Sequence, residues 1–132
     1  MSVLVLVVDD EPDIVPLFRQ RFRRDLRAGR FALEFAGSGP QALGLLTAAR
    51  GQEIILLLSD VNMPGMSGFD LLERARALRP DLPVIMITAY GDAATEARAR
   101  ASGASNILAK PIDFAALRAE LEACLAAREG RA

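Results

Sequence analysis

Five short apolar runs, each followed by a pattern of helical period, constrain this chain more than any single residue does. Residues 3–8 and 54–58 are continuous apolar runs, as expected of central strands buried on both faces. Phe31, Leu33 and Phe35 alternate with smaller or polar neighbours and predict an edge strand. Residues 84–87 predict a fourth strand ended by Thr88, and 107–109 a short fifth one ended by Lys110. Between the runs, Ile14, Phe18, Phe22 and Leu26 fall every fourth residue along a first helix, with Pro12 expected at its first position. Pro40 opens a second helix carrying Ala42, Leu43 and Leu46, closed near Gly51. Ser67 and Asp70 have capping-box spacing ahead of Leu71, Leu72, Ala75 and Leu78. Ala93, Ala97 and Ala101 share one face of a fourth helix. Asp113 caps a fifth, whose core face is Phe114, Leu117, Leu121 and Leu125 and whose start suits a staple between Ile112 and Leu117. Such alternation predicts an α/β fold: a parallel sheet with right-handed crossovers and helices on both faces. Residues 1–128 are expected to form one domain, and 129–132 a frayed tail.

Composition narrows the chemistry. The chain of 132 residues contains no histidine, which excludes a Ser-His triad, a His-ligated zinc and a phosphohistidine on this chain. Cys124 is the only cysteine, so no internal disulfide forms and a reducing compartment fits. A net charge of −1 gives no nucleic-acid footprint. No apolar run approaches the ~20 residues that span a bilayer. The run at 3–8 lacks a basic flank and stops at two acids, unlike a signal peptide. A cytoplasmic protein is the expectation.

In doubly wound sheets, ligands bind at the carboxyl ends of the strands. Those ends carry Asp9 and Asp10, Asp60, Thr88 and Lys110. Carboxylates gathered so closely repel, by about 4 kcal/mol for a pair ~4 Å apart at an effective dielectric near 20, so protons or a cation must compensate. Oxygen donors with no His or Cys beside them favour Mg²⁺. Asp60 then suits a nucleophile that forms an aspartyl phosphate, with Lys110 and Thr88 binding the remaining phosphoryl oxygens. Met63 and Met66 read as loop packing.

The segments VLVVDDEPD, LLLSDVNMPGMSG, VIMITAYG and ILAKPID, in that order, resemble the four signature segments of the receiver domain of two-component response regulators. The resemblance implies a flavodoxin-like, doubly wound (βα)₅ fold with strand order 2-1-3-4-5. It implies phosphotransfer to Asp60 from a sensor histidine kinase or phosphotransfer protein. Mg²⁺ would be held by Asp10, Asp60 and the Asn62 main-chain carbonyl, with Asp9 acting through water. Thr88 would be the switch hydroxyl, Lys110 the phosphate-sensing ammonium, and Lys110–Pro111 a cis bond. Receivers commonly carry an aromatic residue three positions before that lysine, where this chain has Ile107. Tyr90, two residues after Thr88, is the expected cover over the site. The resemblance also points to homodimerisation or output contacts through the fourth helix, fifth strand and fifth helix, with no nucleic-acid or membrane binding by this chain.

Three other functions compete with this reading. A Mg²⁺-dependent phosphatase of the aspartyl-phosphate kind uses a D-x-D arrangement on one strand, absent around Asp60. A phosphorylation-independent interaction module would not require the full acidic set with Lys110. Flavin binding fits poorly, because the loop after the first strand is acidic rather than rich in glycine and hydroxyls. Arg19, Arg21, Arg23, Arg24 and Arg27 on the first helix read as a solvated face, with partner docking as the alternative. The alanine face of the fourth helix predicts loose anchoring, since alanine buries little area.

Overall fold

A computed structural model describes residues 3–48, 50–89 and 91–129. The strands are β1 (Leu4–Val8), β2 (Ala32–Ala36), β3 (Ile54–Asp60), β4 (Val84–Thr88) and β5 (Asn106–Ala109). The helices are α1 (Ile14–Arg21), α2 (Arg23–Arg27), α3 (Gly39–Thr47), α4 (Gly68–Leu78), α5 (Ala93–Ala101) and α6 (Phe114–Glu129), with a 3₁₀ turn at Gly51–Glu53. All strand pairs are parallel, in the order β2-β1-β3-β4-β5. The α/β fold and its order match the expectation.

Alternation along the central strands explains why they read as continuous apolar runs. Leu4, Leu6 and Val8 of β1, Leu57 of β3, and Val84 and Met86 of β4 face one layer, with Ala42 and Leu46 of α3, Leu71, Leu72 and Ala75 of α4, and Ala99 of α5. Val5 and Val7, Leu56 and Leu58, and Ile85 and Ile87 face the other layer, with Phe18, Phe22, Leu117, Leu121 and Leu125. Neither sheet face meets water, so both parities must be apolar.

Several local expectations need correction. The first helix is two: Phe22 leaves helical geometry at φ −108° and ψ 19°. The four-residue spacing survives the break, because Phe22 N–H donates to Phe18 O and Leu26 N–H to Phe22 O, both at 3.0 Å. Pro12 lies in the preceding turn rather than at the first helical position; Ile14 begins α1, and Pro16 sits in its first turn, where a missing N–H costs nothing. Leu78 is 48% exposed, because α4 ends there and its last turn clears the sheet. Ala93, Ala97 and Ala101 face solvent, and Ala99 packs inward instead. A stripe of alanines has little hydrophobic contrast, so its period does not say which way it points. The inner edge of α5 is completed by Arg98, whose guanidinium carbon lies 4.1 Å from the centroid of the Phe69 ring.

The capping box at α4 is present: Asp70 N–H donates to Ser67 Oγ and Ser67 N–H to Asp70 Oδ2, each at 3.2 Å. Asp113 accepts from the Ala115 and Ala116 amides at 3.0 and 3.1 Å. Gly39 and Pro40 begin α3 behind Ser38, which caps it and accepts from Gln41 N–H. Away from the acidic strand ends, Asp25 is buried between α2 and α6. Arg30 Nη1 donates to its Oδ1 at 2.7 Å and Arg118 Nη1 to its Oδ2 at 2.6 Å. Arg30 also grips both carboxylate oxygens of Glu122, at 2.6 and 2.7 Å.

Candidate functional site

The chain runs from β1 to β2 on one side and returns to place β3 on the other, so the carboxyl ends of β1 and β3 flank the point where the winding reverses. Asp9 follows β1 directly, and its backbone N–H donates to Ala36 O on β2. Asp60 is the last residue of β3, paired in register with Ile87, rather than a loop residue. The strand therefore holds its backbone rigidly, and Val61 N–H continues the ladder to Ile87 O at 2.8 Å.

Gly68 closes this corner from behind. A Cβ there would collide with the Asp60 carbonyl oxygen and lie 2.8 Å from Val61 Cα. Its N–H donates to Val61 O at 2.9 Å. A glycine is needed here for close packing of the α4 N-terminus against the strand end that carries Asp60.

One carboxylate oxygen each from Asp9, Asp10 and Asp60 lie within 4.8 Å of one another. Asp60 is 5% exposed and Asp9 8%, whereas Asp10 opens to solvent. Lys110 reaches in from the end of β5. Its Nζ donates to Asp60 Oδ2 at 3.1 Å and to Asp9 Oδ2 at 3.5 Å. Asp60 Oδ1 accepts from Asn62 N–H at 3.2 Å, and Asp9 Oδ1 from Glu11 N–H at 2.9 Å. Lys110 is the only lysine among 16 basic residues.

These charges do not balance. Three carboxylates face one ammonium, leaving two formal negative charges in a half-buried recess. Burial pushes the Asp9 carboxyl above its ordinary value, and the Asp60 charge adds to this against the Glu11 amide and Lys110. Burial also opposes the Lys110 charge, but its hydrogen bond and attraction to Asp60, then Asp9 and Glu11, outweigh it and raise its pKa. Carboxylate oxygens in surplus over cations are the donor set of a hard divalent cation, and the trio Asp9, Asp10 and Asp60 has the proximity to hold one.

Thr88 ends β4 with its side chain buried, one residue beyond the partner of Asp60. Its carbonyl accepts from Lys110 N–H at 2.8 Å, which ties the hydroxyl-bearing and amine-bearing strand ends together. The Lys110–Pro111 peptide bond is cis. Ile107 pairs with Met86 and packs on the same core layer, away from the acidic recess. Tyr90 lies outside the described residues. Met63 is buried in the core, and Met66 packs against the same layer with its side chain over Gly39.

The family model for the response regulator receiver domain matches residues 5–122. The chain belongs to the receiver-domain family of two-component response regulators. It is 38% identical over 125 residues to the transcriptional regulatory protein ZraR of Escherichia coli, covering 95% of this chain and 27% of that protein. It is 31% identical to the response regulator MprA of Mycobacterium bovis, over 95% of this chain and 51% of that one. The receiver domain thus spans between about a quarter and a half of these relatives. Among solved structures, a CheY-like receiver domain protein of Methanospirillum hungatei superposes with a TM-score of 0.83 at 25% identity, covering 100% of both chains. The chemotaxis protein CheY4 of Vibrio cholerae superposes at 0.78 with 28% identity, over 94% of this chain and 99% of that one. Among the described residues, no helix of this receiver is long and apolar enough to cross a membrane.

Proposed function

We propose that Asp60 is the phosphoacceptor of this receiver and that the surplus negative charge around it is the seat of a Mg²⁺ ion. The observation that carries the reading is the pairing of the buried Asp60 carboxylate with Lys110 inside a trio of acids. Asp10, Asp60 and the Asn62 main-chain carbonyl would hold the cation, with Asp9 acting through water; bound there, it neutralises charge on an incoming phosphoryl group. The chain supplies the rest. An oxygen of Asp60 attacks phosphorus in line, an O–P bond forms, and the N–P bond of a donor phosphohistidine breaks. The imidazole keeps that electron pair and takes a proton from solvent. The chain has no histidine, so the donor is a partner: a sensor histidine kinase or a phosphotransfer protein. Lys110 moves from the Asp60 carboxylate to a phosphoryl oxygen, and the Thr88 hydroxyl turns to another.

The receiver acts as a switch that catalyses only its own phosphotransfer and dephosphorylation. The readout is the surface of α5, β5 and α6. Only Ala99 of α5 is buried, so this helix is free to shift as Thr88 turns and to remodel a dimer or output contact. Tyr90, which lies outside the described residues, is the proposed cover in place of the aromatic residue that Ile107 replaces; on this reading Tyr90→Ala speeds dephosphorylation, and an unchanged rate removes the idea.

Incubation with a small phosphodonor and Mg²⁺, read by intact mass, tests the assignment. A single phosphoryl adduct is expected on the native chain and none on Asp60→Asn. An adduct that survives Asp60→Asn, or that forms equally well in chelator, overturns it.

A further inference from the structure

The arginines of α1 and α2 are not an undifferentiated solvated face. Six arginines and one acid fall between residues 19 and 30, in a chain whose net charge is −1. Their partners sort them. Arg21 lies over the Phe114 ring, and Arg30 is bound to Asp25 and Glu122. Arg19, Arg23 and Arg27 instead line an open cleft of about 360 Å³ against the outer strand β2, floored by Leu26, Phe31 and Leu33. Among the described residues, none of these three has an ion pair or a side-chain hydrogen bond.

Their spacing matches the strand beside them. The guanidinium of Arg19 lies 5.7 Å from the centroid of the Phe35 ring, and Arg27 and Phe31 line the same cleft. Backbone hydrogen bonds carry the four-residue spacing across the break at Phe22, so the three arginines follow one another along the side of β2 that carries Phe31, Leu33 and Phe35. Strand β2 pairs only with β1, and Ala32 N–H points inward to Val3 O. The Leu33 N–H, one residue on, therefore points to the open edge.

We propose that this cleft receives an extended acidic segment of a partner protein, added as a sixth strand along the free edge of β2, its alternate carboxylates met by Arg19, Arg23 and Arg27. Alternate side chains of a strand are ~6.6 Å apart and the arginines, four residues apart on a helix, ~6 Å, so one carboxylate meets each guanidinium. The edge favours a peptide over a nucleic acid, because Phe31 is buried and offers no face for a base to stack on. None of the acids around Asp60 takes part, so binding persists without phosphorylation.

The probe is a fluorescein-labelled peptide of four glutamates alternating with three threonines, followed by anisotropy, with hydrogen exchange of β2 read in parallel. Saturable binding that weakens with salt is expected, together with slowed exchange at the Leu33 amide. The Arg19→Gln/Arg23→Gln/Arg27→Gln variant should bind about tenfold more weakly, as expected for the loss of three exposed charge contacts. The single Arg23→Gln variant should show an intermediate loss, which keeps the test usable if the triple variant folds poorly. Absence of binding, affinity indifferent to these substitutions, binding without protection of β2, equal binding of a lysine-threonine peptide, or tighter binding of single-stranded DNA or anionic vesicles through the same arginines would each overturn the proposal.

Discussion

Two clusters in this receiver bury carboxylates, and they treat charge in opposite ways. At the α2–α6 seam, Asp25 and Glu122 face Arg30 and Arg118, two acids against two cations, with each Asp25 oxygen taking a short guanidinium hydrogen bond. Burial alone would raise the Asp25 carboxyl, but the hydrogen bonds from Arg118 and Arg30 overcome it and hold the group below its ordinary value. At the carboxyl ends of the strands, three acids share one lysine, and Asp9 is pushed the other way. The compensated cluster fastens helices together. The uncompensated one stores an affinity for added positive charge, which a structural ion pair would have no reason to keep.

Substitutions can break or sharpen this contrast. The largest effect is expected at Gly68, where an added Cβ meets the Asp60 carbonyl and Val61. Gly68→Ala should cost about 1–3 kcal/mol in denaturant unfolding. It should also lower phosphoryl incorporation, because the corner that shifts is the one carrying Asp60; full incorporation would show that the recess tolerates movement. Next comes Asp25→Ala, for which about 1–2 kcal/mol is expected. The exposure of both arginines lets water take the freed guanidinium groups, and this keeps the loss at the lower end for a charged hydrogen-bond network.

The pH response separates the clusters by sign. Asp25 has a depressed pKa, so its contribution is complete above the ordinary carboxyl value of 3.8 and is lost as pH falls through its lower folded value. Asp9 has a raised pKa, so its ionised form costs stability at neutral pH, and acidification through its folded value relieves that cost. Without metal, Asp9→Asn should therefore stabilise the protein at neutral pH and abolish the gain on acidification. Saturating Mg²⁺ should reverse the ranking, since the native acidic set gains more from the cation. The smallest effect belongs to Arg98→Ala, about 0.5–1 kcal/mol for a contact over the Phe69 ring at a surface helix.

Most of the fold was legible because its strands are short apolar runs and its turns carry strong punctuation. The capping box at Ser67 and the cap at Asp113 were readable from spacing alone. The acidic recess was readable for a related reason: parallel topology brings strand ends to one pole, and four of them carried polar residues after apolar ones. Orientation was harder. In α5 nothing in the alanine period marks Ala99 as the inward residue, because the contact beside it is the Arg98 guanidinium over the Phe69 ring. The break at Phe22 was hidden by hydrogen bonds that preserve the four-residue spacing on both sides. The Asp25 network was invisible, since its arginines come from positions 93 residues apart in one case and 5 in the other.

Because Lys110 is the only lysine, its side-chain amine can be followed alone by reductive methylation and peptide mass. The direct measurement is its rate of modification with Mg²⁺, with beryllofluoride, and with both. Marked protection with both together, lost in Asp60→Asn, is the predicted result. An unchanged rate in all three conditions would contradict the account, because Lys110 would then not face the ligand that Asp60 binds.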